Sequence, residues 1–468
     1  MGSELLDSAA VLHRGLSSRH VQLISIGGAI GSGLFMGAGK VISLSGTSIL
    51  LTYAIIGFFI FFVMRAMGEI LLSNTSYRSF SDFCADYIGP WAGFFVSWSY
   101  WLLWVVCAIA DCVVVGGYLQ FWYPDIQTWI PALGLLSVLL GLNLFAVRVF
   151  GEMEFWFALI KVVAIGALIL AGLVMIVTSF ISPTGVQASL AHVVAEGAIL
   201  PHGISGFFAG FQIAVFSFVG IELIGTTAAE TKNPERTLPN AINTVPFRIL
   251  FFYILSIVCI ISVLSWEGIA ADQSPFVQLF VMAGLPAAAA IINMVVISSA
   301  MSSANSGVFA TSRMLFGMGS TARGVATFQR LSKSAVPYIA VLFSTGCMLL
   351  GLLILYVVPN VMKAFTILTT VTAILCVFIW SMMVVSYLIY RRRAPGLHQA
   401  SKFKAPAGIS MSWASLAFFG FFISLLALES DTATALAVMP AWFILLAILY
   451  RLKVRKVSAS TGRLEGVI

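Results

Sequence analysis

Twelve runs of mostly apolar residues follow one another along this 468-residue chain. Each is close to the roughly 20 residues that a helix needs to cross a bilayer core. Their limits are 20–44, 47–73, 89–119, 131–149, 154–180, 204–229, 243–265, 286–316, 337–358, 361–390, 409–429 and 433–451. In hydrocarbon every backbone N–H and C=O must find its partner within the segment, so the runs are expected to be helices. Composition supports this. Apolar residues make up 60% of the chain and charged residues only 9%, against about 25% charged in a soluble domain. The mean hydropathy is +1.03. These figures exclude a cytosolic enzyme, a secreted disulfide scaffold and a disordered chain. The expected fold class is all-α integral membrane, with 12 transmembrane helices.

Charge placement sets the expected orientation. With the N-terminus inside, 23 of the 25 Lys and Arg residues fall on the cytoplasmic side, counting Lys161, which lies within a run. Only Lys40 and Lys363 fall near the outer face, and the outer loops 181–203 and 266–285 hold no Lys or Arg. Positive charge concentrates on the cytoplasmic side of membrane proteins, so both termini are expected inside. The formal charge of +7 is spread between the runs rather than gathered on one face, so no nucleic acid partner is expected. The segment from Met1 to His20 is polar and has no signal-peptide core.

Six cysteines (Cys84, Cys107, Cys112, Cys259, Cys347 and Cys376) lie mostly in apolar stretches without a Cys-x-x-Cys pair. Small buried side chains explain them better than a disulfide framework or a zinc site. The five histidines (His13, His20, His192, His202 and His398) fall at termini and loops. No metal site, cofactor or nucleophile motif is expected, and the chain is not expected to be an enzyme. A pore-lining charge ring, which a channel would show, is also missing. An added signalling domain, which a sensor would carry, is not expected.

Two runs contain stretches that disfavour an unbroken helix. The first reads Ile26-Gly27-Gly28-Ala29-Ile30-Gly31-Ser32-Gly33-Leu34-Phe35, with four glycines in seven residues; each glycine costs about 1 kcal/mol relative to Ala in a helix. The sixth run reads Phe216-Ser217-Phe218-Val219-Gly220-Ile221-Glu222, a glycine beside an acid near mid-span. Close packing through small residues is the competing explanation. Runs one and six start five runs apart, and an odd number of spans turns the second unit upside down. Inverted repeats with discontinuous first helices are a transporter architecture. Unwound backbone offers N–H groups for a carboxylate and carbonyls for an ammonium, and one site with both suits an α-amino acid. The expected organisation is a tail over 1–19, a first repeat over 20–180, a second over 204–392, a last helix pair over 409–451 and a tail over 452–468.

At these residues the chain resembles the amino acid transporter family of the amino acid–polyamine–organocation (APC) superfamily. The resemblance runs through Gly27–Phe35, Met64-Arg65-Ala66-Met67-Gly68-Glu69, Gly151-Glu152-Met153-Glu154-Phe155-Trp156, and Ala228-Ala229-Glu230 to Pro239. It continues in Ser303-Ala304-Asn305-Ser306-Gly307 and Arg313-Met314-Leu315, and spans residues 14–450. Within the family, Ser79-Phe80-Ser81-Asp82-Phe83, Ser182-Pro183-Thr184-Gly185, Phe208–Ala214, Thr226–Lys232 and Asp111 resemble the D-serine/D-alanine/glycine permeases, which also carry D-cycloserine. A shortened loop over 317–336, with Thr327 in place of a usual proline, departs from the pattern.

The resemblance implies a LeuT-like fold with helices 1 and 6 broken, placed in the bacterial inner membrane. It also implies proton-coupled import of a small amino acid by alternating access. The partners implied are that substrate and membrane lipid, with a monomer or weak oligomer expected, and the proton is the coupling ion. Backbone N–H groups of Ala29, Ser32 and Gly33, helped by the Ser32 hydroxyl, would take the carboxylate. Carbonyls near Ile26, Phe216 and Val219 would take the ammonium, and Phe216 would close over the substrate. A permease or exchanger for another neutral amino acid, L- or aromatic, is the alternative within transporters.

Lys161 sits inside the fifth run, flanked by Phe157-Ala158-Leu159-Ile160 and Val162-Val163-Ala164. A charge there costs at least about 2.5–3.5 kcal/mol, which suits a proton carrier. The resemblance places its contacts near Gly28 and Ser299, Ser302 or Ser303. Snorkelling to the cytoplasmic face is the competing explanation. Asp111, mid-way along the third run, is expected to line the pocket or share in proton coupling, or else to be a hydrogen-bonded packing residue. Glu222 is expected to tie or gate the second half of run six. Glu69, Glu152, Glu154 and Glu230 are expected near cytoplasmic ends, paired with Arg65, Arg148 or Lys232.

Overall fold

The computed structural model describes residues 30–74, 76–77, 79–145, 147–226, 233–319, 325–332, 334 and 336–464. These are helical apart from connecting segments and one isolated β-bridge between Ile181 and Gln187. Nine stretches among them are long and apolar enough to cross a membrane, with two shorter apolar helices at Trp129–Leu144 and Gly203–Phe216. Three features account for the difference from twelve. Runs one and two join in one stretch, Gly33–Ser73, folded by a 3-10 turn over Gly46–Ser48. Run four forms a helix of only 17 residues. Run six is interrupted by turns.

Gly46 makes the turn between the first two runs possible. Its φ is +58°, a region that costs other residues strain. A Cβ there would also meet the Ala198 carbonyl, which accepts the Thr47 N–H at 2.8 Å.

Five helices frame the interior: α1 (Ile49–Ser73), α2 (Pro90–Leu119), α3 (Val147–Val177), α4 (Pro286–Gly319) and α5 (Val361–Arg393). Proline opens α2, where its missing N–H costs nothing. Asn360 caps α5 by accepting the Lys363 N–H at 2.8 Å. The centre is α2, with α4 and α5 packed along it. Between apolar helices in lipid, close van der Waals contact replaces the hydrophobic effect, and small residues permit it. Gly307 of α4 shows this, since a Cβ there would lie 2.9 Å from Ala108 Cβ and 3.1 Å from the Trp104 carbonyl. That crossing brings Asp111, one turn beyond Ala108, to the α4 turn that carries Ser302 and Ser303.

After α5 the chain turns through Pro395–Ala400 and folds back on α1. There Glu69, fully buried, accepts the Tyr387 hydroxyl at 3.0 Å and the Ala405 N–H at 2.7 Å. His398 Nδ1 lies 2.5 Å from its other oxygen. Glu69 is therefore hydrogen-bonded by Tyr387, Ala405 and His398, while Arg65, its expected partner, interacts with it through charge rather than a direct bond. Arg65 donates instead to Asn243 Oδ1 at 2.7 Å and to the Lys404 carbonyl, and stacks over Phe403. At the opposite end, Lys40 pairs with Glu429 at 3.5 Å and Lys363 with Asp431 at 3.4 Å. The last helix runs on from Ser430 to Leu464, past the boundary expected at 451.

Candidate functional site

The interruption in run six falls where Gly220 and Glu222 suggest it. Helix Phe211–Phe216 ends, turns occupy residues 217–222, and helix Leu223–Thr226 resumes. Gly220 takes a φ of +102°, which glycine reaches without steric cost. Its N–H donates to both carboxylate oxygens of Glu222, at 3.2 and 3.1 Å. Glu222 thus holds its own turn together, and Tyr100 and Trp380 face it from α2 and α5. The Phe216 carbonyl accepts the Val219 N–H at 3.0 Å and keeps one lone pair for another donor. The Ser217 carbonyl accepts the Tyr253 hydroxyl at 2.6 Å.

The described part of run one opens with bends at residues 30 and 31 and a π-helical turn over Gly33–Gly37 that continues into the helix Ala38–Ser45. Such turns recur at functional sites. Ile26, Gly28 and Ala29 lie outside the described residues. This turn touches the interruption in run six: a Cβ on Gly33 would stand 2.8 Å from Ser217 Cα and 2.9 Å from Phe216 Cδ1. Only glycine permits that approach. Phe216 is buried and meets Phe365 of α5 edge to face, with centroids 5.8 Å apart. Val219 is buried beside it.

The ionisable groups gather next to this contact. Asp111 is fully buried; it accepts the Ser32 hydroxyl at 2.6 Å and a weak bond from Cys107 Sγ at 3.9 Å. Ser303 faces it as well. The Ser32 hydroxyl, expected to help a substrate carboxylate, is therefore engaged with Asp111 in this conformation. Ser299 of α4 donates to the Ile30 carbonyl at 3.1 Å and so anchors the start of the described part of run one.

Lys161 is 1% exposed, which rules out a snorkelling side chain. Its Nζ donates to Ser302 Oγ at 3.2 Å, one of the three serines expected near it. Ser302 Oγ in turn donates to Glu154 Oε1 at 2.8 Å. Glu154 thereby departs from the expectation of a helix-end acid paired with a surface base. It is 4% exposed, and its partner is the serine that also holds Lys161. The reason is helical geometry: residues seven apart lie on the same face, about 10.5 Å apart along the axis. Long side chains also lean toward the helix N-terminus, so Lys161 reaches back toward Glu154. Glu152 and Glu230 lie outside the residues whose side chains are described.

Among the described residues no group of three His, Cys, Asp or Glu side chains is placed to hold a metal ion. The cluster instead alternates carboxylates, hydroxyls and one ammonium, all removed from water. Opposite charges in such a site stabilise one another only when their remaining bonds are satisfied. The hydroxyls of Ser32 and Ser302 supply part of that satisfaction and connect the groups. Such an arrangement can hold and move protons beside an irregular backbone with polar groups to offer.

The amino acid permease family matches residues 20–465. The D-serine/D-alanine/glycine transporter of Escherichia coli is 58% identical over 435 residues, 93% of each chain. The amino-acid permease AapA of Bacillus subtilis is 46% identical over 95% of this chain and 96% of its own. The aromatic amino acid transport protein AroP of Escherichia coli O6:H1 is 39% identical over 96% and 97% respectively. Matches of this length, on an all-helical apolar chain whose first and sixth runs meet around buried ionisable groups, leave one assignment: the protein is a multi-pass membrane transporter of the amino acid permease family.

Proposed function

We propose that the protein is a proton-coupled symporter that imports small neutral amino acids, chiefly D-alanine, D-serine and glycine, across the bacterial inner membrane. The substrate class rests on the 58% identity to the Escherichia coli transporter of that name. The observation that carries the coupling is Lys161, buried, hydrogen-bonded to Ser302 and interacting with Asp111, which in turn accepts the Ser32 hydroxyl. The proposed topology is twelve spans with both termini inside and two inverted five-helix repeats. In it the bundle of spans 1, 2, 6 and 7 rocks against a scaffold of spans 3, 4, 8 and 9.

In this reading the backbone N–H groups of Ala29, Ser32 and Gly33 take the substrate carboxylate, and the carbonyls near Ile26, Phe216 and Val219 take its ammonium. Phe216 closes the site, Glu222 sets the turn that presents those carbonyls, and Asp111 limits the pocket. Protonation of Lys161 from outside favours the loaded state, and proton loss inside favours release. One charge moving through 100 mV supplies about 2.3 kcal/mol, enough for roughly fiftyfold accumulation in a one-to-one symporter.

The test is uptake of labelled D-alanine, D-serine and glycine into proteoliposomes, with and without an inward proton gradient, for the native chain and Lys161→Ala. Gradient-driven uptake that Lys161→Ala reduces to exchange is expected. Equal native uptake with and without the gradient would sink the coupling. A competing reading, carried by the 39% identity to AroP, is an aromatic substrate, and labelled phenylalanine in the same assay decides between them.

A further inference from the structure

The geometry points to Glu154 as the inner acceptor of the proton that Lys161 carries, reached through the Ser302 hydroxyl. This rests on the proton-coupling reading above and assigns its cytoplasmic half to a second residue. Three observations carry it. The donors already line up in one direction, Lys161 Nζ to Ser302 Oγ at 3.2 Å and Ser302 Oγ to Glu154 Oε1 at 2.8 Å. Glu154 lies two turns nearer the N-terminal end of α3 than Lys161, the end expected to face the cytoplasm from the Lys and Arg distribution. Finally, Glu154 Oε2 is buried and makes no well-formed hydrogen bond, although Ser306 faces the carboxylate. A purely structural acid in a bilayer interior would be expected to have both oxygens satisfied.

The step conserves atoms and charge. An Nζ–H bond of Lys161 breaks as Ser302 Oγ takes that proton. The O–H bond of Ser302 breaks as Glu154 Oε1 takes the hydroxyl's own proton. Ammonium and carboxylate become amine and carboxylic acid, the serine is regenerated, and a rotation of its hydroxyl resets the donor direction. The transfer creates no net charge within the pair, which matters where solvating a lone charge is expensive. Among the described residues, groups facing the pair include Asp111 from α2, which interacts with Lys161, and Ser302 and Ser306 from α4. Asp111 is held by Ser32 and Cys107, and Ser303 faces it as well. Glu154 itself is closed off from water in this conformation, so the proton leaves from the acid only once the inner side opens.

The experiment reconstitutes the native chain, Glu154→Gln, Ser302→Ala and Lys161→Ala in proteoliposomes. Net D-alanine uptake driven by a proton gradient is measured beside D-alanine exchange, with an internal pH dye reporting acidification. Glu154→Gln is expected to lower gradient-driven uptake and acidification by about tenfold or more, with a much smaller fall in exchange. Ser302→Ala keeps both charged groups and removes only the bridge, and the same split is expected of it. Native-like acidification in both variants overturns the proposal, and so does an equal fall of exchange and net uptake in both. A native chain that shows no gradient dependence at all refutes the coupling reading instead, and a Lys161→Ala chain that retains it refutes the role of the lysine.

Discussion

Two buried carboxylates on different helices have opposite fates. Glu69 on α1 faces three donors, from Tyr387, the Ala405 N–H and His398, and both of its oxygens are used. Glu154 on α3 has one well-formed hydrogen bond, from Ser302, with Ser306 facing the carboxylate and Oε2 without a well-formed bond. A carboxylate saturated by donors is fixed in charge and place, and its removal strands every partner. An acid with spare capacity, joined by one hydroxyl to a lysine, can change its protonation without unmaking a scaffold. Burial alone therefore does not distinguish these two acids; the count and kind of their partners does.

That contrast is open to measurement. The largest effect is expected at the saturated site. Glu69→Ala should destabilise the protein by about 3–5 kcal/mol, seen as a fall in melting temperature in detergent and poor membrane yield. Glu154→Gln should leave the melt close to native, and similar melting losses for the two would erase the distinction. Lys161→Ala comes next, with gradient-driven D-alanine uptake falling about a hundredfold in proteoliposomes while exchange persists. At the contact between runs one and six, Gly33→Val should cost about 1–3 kcal/mol by overpacking against Ser217 and Phe216. Transport would be lost with it, and a native melt with native uptake would show that the contact yields. The smallest effect is expected for Arg65→Lys, about 0.5–1 kcal/mol. It removes the planar stack over Phe403 and one of two directed bonds, and thermal shift assays would register it.

Much of the architecture is legible in the residues. Long uncharged runs announce helices because lipid leaves the backbone no other partner, and Gly220 beside Glu222 announces the interruption at 217–222. The glycine-rich first run announces irregularity, visible as the turn over Gly33–Gly37. Lys161 stands out because a charge amid apolar neighbours demands a reason. What stays hidden depends on partners far apart in the chain. Glu154 sits near a run's end and looks like a surface acid until Ser302, 148 residues away, is placed against it. The spacing of seven between Glu154 and Lys161 was the one available signal. His398 looks like a loop histidine until the chain after α5 folds back to Glu69, 329 residues away. The engagement of Ser32 with Asp111 likewise follows from a helix crossing, which no local pattern encodes.

The hydroxyl of Tyr253, bonded to the Ser217 carbonyl, has a wider consequence. Its ring stacks on Phe218 and meets Tyr53 of α1 edge to face, while Gly33 presses on Ser217 from the other side. The interruption is thus pinned to three neighbouring segments as one block. Across from it, Ser32 to Asp111 and Ser299 to Ile30 fasten that block to α2 and α4 by short hydroxyl bonds of modest strength. Those two fastenings behave like stitches along a seam: under the proposed alternating access, rocking of the block would have to undo them first, and their serines would set how readily the sides exchange.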